Sequence, residues 1–461
     1  MNPISQPKRG NLFARSALGI ALAFGVAVGG AAVSTPAFAA KDKAPKLNFS
    51  KGFLAAAVPA QTAVEKAKGR SEVEAAKAQL NAALQSRDEA KITSAEAAVS
   101  ASIAEEKALI DQAFAVIENE DDRFFAGNLA VNLGSIAGDA NLQRQGIKAM
   151  LASGKLGAED IPRFNGIAGQ LAYQAGDYAE AHKYLQVAVD SGFTDNNTEA
   201  LLSEAYIADN NPTQGLAVLK KALVSHAATG TPAPENWYRR GLATTYKAGM
   251  LNDAVEFGSL LIKDYPQPAN VGMAATIVRE LGQFSTQETL DLMRLMGRTN
   301  SYAEQRDYIE YIEAADTRRN PSEALEVIEA GLAAGKLSAS DTSVADWRTQ
   351  AQGRIAADKA SLSSYESDAR KPSATEAIVT GAADALLSYK QPAKAEELYT
   401  LALGKPGADT PRVLTRLGIA QMDQGKYAAA QETFGKVTGK RTSIAKLWQA
   451  YAASKAATTA Q

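Results

Sequence analysis

The side chains that carry most enzyme chemistry are nearly missing from this chain. It has no cysteine and two histidines, His182 and His226, so thiolate nucleophiles, disulfides, Cys/His zinc sites and Cys-ligated iron–sulfur clusters are excluded. Neither histidine sits in an HExxH pattern or other metal spacing. His182 falls inside a helical stretch directly after Ala181, and His226 borders a Thr-, Gly- and Pro-rich segment, residues 227–234. Both read as ordinary surface or partly packed side chains. No GxSxG elbow, phosphate loop or dinucleotide fingerprint occurs. Carboxylates remain: Glu310, Glu313 and Asp316 share a helical face, and two carboxylates can divide the acid and base work of glycoside hydrolysis. Helical surfaces offer such pairs routinely, so a solvated face is the plain reading. Residues 118–122 (Glu-Asn-Glu-Asp-Asp) could attract a cation but lack the glycine turn and bidentate spacing of a calcium loop. They read as an acidic linker or a helix N-terminus. No catalytic, cofactor-binding or metal-binding residue is assigned, and no cofactor is expected.

Composition says what kind of scaffold is present. The 461 residues are 46% hydrophobic and 22% charged, enough for a sizeable core over two or three domains. Roughly a fifth are alanine, the strongest helix former, which predicts an all-α chain. Lys plus Arg number 49 against 51 Asp plus Glu, a net charge of -2; this is not the basic signature of a nucleic-acid binder.

The first 39 residues read as a secretory signal peptide. Lys8, Arg9 and Arg15 form a positive start, residues 16–33 are apolar, and Ala37-Phe38-Ala39 follows as a small-residue cleavage pattern. Pro36 and the glycines in the apolar run favour cleavage over a retained anchor, and the absence of cysteine excludes a lipoprotein anchor. The expectation is an exported, periplasmic protein with no stable membrane insertion after cleavage.

Residues 40–122 form an Ala-rich helical region after a polar lead-in. Val73, Ala76, Leu80 and Leu84, then Ile103, Leu109, Ala113, Val116 and Ile117, recur at helical spacing. Two to four helices are expected, with breaks at Gly69 and at Ser86-Arg87-Asp88. Alanine stripes bury little area each, so these helices must lean on neighbours as a hairpin or short coiled coil. The coiled-coil form would allow homo-oligomers.

Beyond residue 123 the chain becomes self-similar. Residues 166–189 carry Gly169, Gly176, Tyr178, Ala181 and Ala188; residues 415–437 carry Leu417-Gly418, Gly425, Tyr427, Ala430 and Phe434 in the same places. These two segments resemble the tetratricopeptide repeat (TPR), of an exported bacterial type. That resemblance implies units of about 34 residues, each an antiparallel helix pair with small residues where the backbones approach. Weaker copies begin at Asn196 and Glu235 and near Pro268, Gln305 and Glu376; the last three depart from the family at the helix A Leu-Gly pair. The expected architecture is a right-handed α-solenoid over residues 123–341, a helical linker over 342–375, and a C-terminal repeat pair with a capping helix over 376–461.

The resemblance also implies a binding face, because helix A of each unit lines the concave groove in that family. Carried over by position, the groove receives Arg163, Gln170 and Tyr173; Asn197 and Glu204; Arg239, Arg240, Tyr246 and Lys247; Arg279; then Arg412 and Arg416 in the last unit, with Glu310, Glu313 and Asp316 between. Guanidinium groups bind carboxylates bidentately, and tyrosines offer flat amphipathic surface. The reading is a non-enzymatic scaffold holding a protein or peptide partner in this groove. The rivals are a structural, oligomeric envelope protein and, less favoured, an envelope hydrolase with an unrecognised site.

Overall fold

The computed structural model describes residues 47–459. The signal peptide expected at 1–39 lies outside the described residues. Every regular element among those described is helical, and the chain divides into two compact units, up to Val218 and from Leu219 onward.

The first unit begins with α1 (Lys51–Ala67), α2 (Ser71–Ser86), α3 (Glu89–Ser102) and α4 (Ala104–Ala115). The Ala-rich region is thus four helices, broken around Gly69, at Arg87-Asp88 and at Ile103. α2 packs on α3, α1 packs on α4, and α1, α2 and α4 also rest on α5 (Glu120–Ala137). Their alanine stripes close on a shared core with Phe53, Ile110, Phe125 and Leu133. These stripes are therefore consumed within the unit. The acidic run is the N-terminus of α5: Asn119 caps it by accepting from the Asp122 N–H, and Glu120, Asp121 and Asp122 fill its first turn, where the helix dipole favours negative charge.

From α5 onward the helices come in packed pairs. α5 pairs with α6 (Ala140–Ala152), and α7 (Ile161–Gln174) with α8 (Tyr178–Asp190). α9 (Thr198–Ala208) follows, bonded from Ser203 Oγ to the Gly215 carbonyl of α10 (Pro212–Ala228) at 2.7 Å.

The second unit continues with α11 (Glu235–Ala248), α12 (Leu251–Asp264), α13 (Pro268–Gly282), α14 (Thr286–Thr299), α15 (Gln305–Ala315) and α16 (Pro321–Ala333). Next come the long α17 (Thr342–Ala369), then α18 (Glu376–Ser388), α19 (Pro392–Leu403), α20 (Thr410–Asp423), α21 (Tyr427–Gly435) and α22 (Thr442–Thr459). Each helix from α11 packs on its successor, so this is a helical-repeat protein. A small residue marks the closest approach in each clear copy. A Cβ on Gly169 would lie 2.9 Å from Leu185 Cδ2; one on Gly241 would run into the Phe257 ring; one on Gly418 would lie 2.5 Å from Phe434 Cε1. The three glycines stand at the same offset before their large partners, and Ala181 and Ala430 are fully buried beside them.

The end of the chain departs from the expectation of a simple cap. α22 packs on α21 but also on α12, α13 and α14. Trp448, fully buried on α22, donates its indole N–H to the Asp291 carbonyl of α14 at 2.9 Å. The last repeat is therefore folded back onto the first helices of the second unit.

Candidate functional site

Four of the expected groove residues fall on one helix. In α11, Arg239, Arg240, Tyr246 and Lys247 lie within a single exposed stripe together with Asn236 and Ala243, at the i, i+3/i+4, i+7 spacing of a helix face. The opposite face buries Trp237, Tyr238, Gly241, Leu242 and Thr245, and Gly249 in the left-handed conformation ends the helix. Arg239 turns along its own helix to Glu235 Oε1 at 2.7 Å. Arg240, Tyr246 and Lys247 are exposed. With Glu235 included, the stripe holds three cations and one carboxylate.

The remaining predicted residues are placed differently. Arg163 pairs with Asp160 at 2.9 Å and lies over the Phe164 ring, on α7 of the first unit. Tyr173 is buried, its ring 5.3 Å from that of Tyr178, and Glu204 is buried as well. Arg279 is buried and sits 3.1 Å from Asp307 Oδ1. Its Nε is 2.9 Å from Glu310 Oε2 but off the N–H axis, so that contact is coulombic and not a hydrogen bond. Arg416 is fully buried, reaching Asp291 Oδ1 at 2.9 Å, Asp384 Oδ2 at 2.5 Å and Gln287 Oε1 at 2.9 Å. Arg412, partly exposed, gives its Nη2 to Asp384 at 2.6 Å. The expectation that Tyr173, Arg279 and Arg416 face a partner is corrected here: Tyr173 is packed inside the first unit, and the guanidinium groups of Arg279 and Arg416 are buried against internal carboxylates, Asp307 of α15 and Asp291 of α14.

Arg412 and Arg416 belong to a buried polar network that the sequence did not reveal. Asp291 of α14, wholly buried, accepts from Arg294, Arg416 and Arg441. Arg294 grips Glu323 of α16 with two bonds of 2.8 Å, and the Tyr311 hydroxyl donates to the same carboxylate at 2.7 Å. Tyr399 donates to Asp384 at 2.6 Å. Four guanidinium groups thus face three carboxylates. Burial pushes the Glu323 carboxyl up, but the charge and hydrogen bonds of Arg294 outweigh it and hold the group down at about 2. Asp384 is likewise lowered: desolvation opposes its charge, while Arg416 and Arg412 more than offset it. The Tyr311 hydroxyl is pushed well up, first by burial and then by Glu323. All residues from Leu290 to Met296 are buried, and charges inside a helix buried all round need internal partners.

Beside this network lies a cleft of about 510 Å³. Arg298 and Asp423 close one side through two parallel bonds of 2.8 and 2.7 Å. Lys390 and Glu326 form an exposed pair at its rim, 2.7 Å apart. Tyr302 and Tyr311 line it, their ring centroids 6.3 Å apart. None of these residues was singled out from the sequence.

The histidines serve packing. His182 stacks on Tyr206 with ring centroids 4.4 Å apart and places Nε2 3.0 Å from Asp209. His226 meets the Trp237 ring edge-on at 5.4 Å. Among the described residues no group of His, Asp and Glu could hold a metal ion, and no helix is long and apolar enough to cross a membrane.

No protein-family model matches the chain, and no curated protein matches it. Among solved structures, a monomeric IFIT1 mutant with m7Gppp-AAAA is similar at 11% sequence identity and a TM-score of 0.21, covering 76% of this chain and 81% of that one. The helical-repeat assignment stands on the chain's own helix pairs.

Proposed function

We propose that this chain is an exported, periplasmic scaffold of tetratricopeptide type, non-enzymatic, which binds an acidic segment of a partner protein along the exposed stripe of α11. The observation that carries this reading is the convergence of Arg239, Arg240, Lys247 and Tyr246 on one solvent face of a helix whose other face is locked into the core. Guanidinium groups supply bidentate recognition of carboxylates, and a half-exposed tyrosine supplies contact area with little entropy to lose. Arg239 must exchange Glu235 for the partner, and Arg240 must give up the contact it makes in the free chain. Arg239 and Glu235 are substantially exposed, and such pairs are weak. The signal-peptide pattern of residues 1–39 supports export.

The test is crosslinking in intact cells followed by capture of the tagged protein, wild type against the Arg239→Glu/Arg240→Glu double variant. Loss of the crosslinked partner with an unchanged melting curve supports the reading. Equal capture by both proteins shows that the stripe is a solvated face, and that the chain acts through another surface or as a structural element.

A further inference from the structure

The cleft beside α14 involves different residues from the α11 stripe and has its own chemistry. At about 510 Å³ it lies within the range of small-ligand pockets, roughly 300–1,000 Å³. Part of its lining is apolar, made by Val327, Ala330, Leu387 and Pro392. Among them stand ionic side chains, Glu323, Glu326 and Asp423 with Arg298 and Lys390, the two glutamates on the same α16 face as Val327 and Ala330.

Three observations set the sign of the charge it favours. Both cations of the lining are already engaged, Arg298 with Asp423 and Lys390 with Glu326, which leaves Glu323 as the carboxylate that no cation of the lining bonds. Glu323 is answered from behind by Arg294, yet acceptor capacity remains: Oε1 takes Arg294 Nε and the Tyr311 hydroxyl, while Oε2 takes Arg294 Nη2. The peptide field adds to this. Three helices end on the cleft, α14 at Gly297 and Arg298, α18 at Leu387 and Ser388, and α20 at Asp423, whereas α16 and α19 begin there. Each C-terminal end carries roughly half a negative charge and each N-terminal end the opposite, so the balance is negative. Tyr302 and Tyr311 bring π-systems, which attract cations.

We infer that this cleft binds an alkyl guanidinium or alkyl ammonium group, with its methylene stem against Val327, Ala330 and Leu387 and its charged head among Glu323, Glu326 and the two tyrosines. Lys390 then acts as the resident competitor. Its side chain is 73% exposed and that of Glu326 58%, so an arriving cation displaces it at little cost. The inference does not depend on the α11 reading, which concerns a ligand of opposite charge.

The experiment is isothermal titration of the purified chain with two cationic probes, L-arginine amide and acetyl-Gly-Arg-Gly-amide, and with acetyl-Gly-Glu-Gly-amide as the anionic control. Saturable heat with a cationic probe and none with the control is expected. Binding of the free amide alone assigns the site to a small molecule; binding of both extends it to a basic side chain within a peptide. Lys390→Ala removes the competitor and tightens binding about two- to fivefold, while Glu326→Gln weakens it by at least as much. Both positions are exposed, so the fold is retained and melting curves verify it. No saturable heat with either cationic probe, preference for the glutamate peptide, or weakening by Lys390→Ala overturns the inference.

Discussion

Replacing Asp291 by asparagine tests the fold-back of the second unit. Asp291 has no exposed surface and takes hydrogen bonds from Arg416 at 2.9 Å, from Arg294 at 3.2 Å and from Arg441. Asparagine keeps the shape but removes the charge, and its amide N–H groups then face guanidinium donors. The four arginines of the network are left with Asp384 and Glu323. Breaking a buried ion pair from one side costs about 3–5 kcal/mol. For a cooperative unit of this size each kcal/mol lowers the melting temperature by roughly 2–4 °C. Asp291→Asn should therefore melt roughly 6–20 °C below wild type by far-ultraviolet circular dichroism. Lys426→Ala, which removes only the exposed partner of Glu396, should stay within about 1 kcal/mol. A combined Asp291→Leu/Arg416→Leu change should be less damaging than the sum of its parts, because no charge of that pair is stranded. If Asp291→Asn melts within about 2 °C of wild type, the network does not hold α20 and α22 against α14.

Gly418→Leu must displace the Phe434 ring and should cost about 1–3 kcal/mol or more by urea unfolding. Gly381→Ala, at an α18 position where a Cβ meets nothing within 4 Å, should instead gain about 0.5–1 kcal/mol. The acid response follows from Glu323 and Asp384. Their folded-state values lie below the ordinary carboxylate values, that of Glu323 at about 2, so their stabilisation is present above the ordinary carboxylate range and is lost as the pH falls through the folded-state values; the urea midpoint should fall with the pH there, less steeply in Glu323→Gln. Intact mass of the protein isolated from its native cells should place its first residue at Ala40, and a retained Met1 would refute the cleavage reading.

The repeat was legible because its signal is local. Gly169 with Ala181 and Gly418 with Ala430 stand at fixed spacing, and the structure puts each where two helices approach most closely. The breaks at Gly69 and Arg87 were legible for the same reason: the chain there takes up left-handed conformations. The fold-back was not legible. Arg416 looks from its register like a groove residue, and its main partner, Asp291, stands 125 positions earlier in the sequence, a distance over which no periodicity operates. The candidate site divides in the same way. Arg239, Arg240, Tyr246 and Lys247 lie on one helix, so the positions that the repeat resemblance implied for a single unit kept them together. The cleft draws its walls from six helices, and no spacing rule relates Glu326 to Lys390 or Arg298 to Asp423.

Hydrogen exchange read by mass spectrometry, on the protein alone and with its crosslink-identified partner bound, shows whether the partner sits on α11. Slowed exchange is expected in peptides covering α11, residues 235–248, with the effect weakened at high salt. Exchange unchanged over α11, with protection confined to α1–α4 or to another surface, would contradict binding at this stripe.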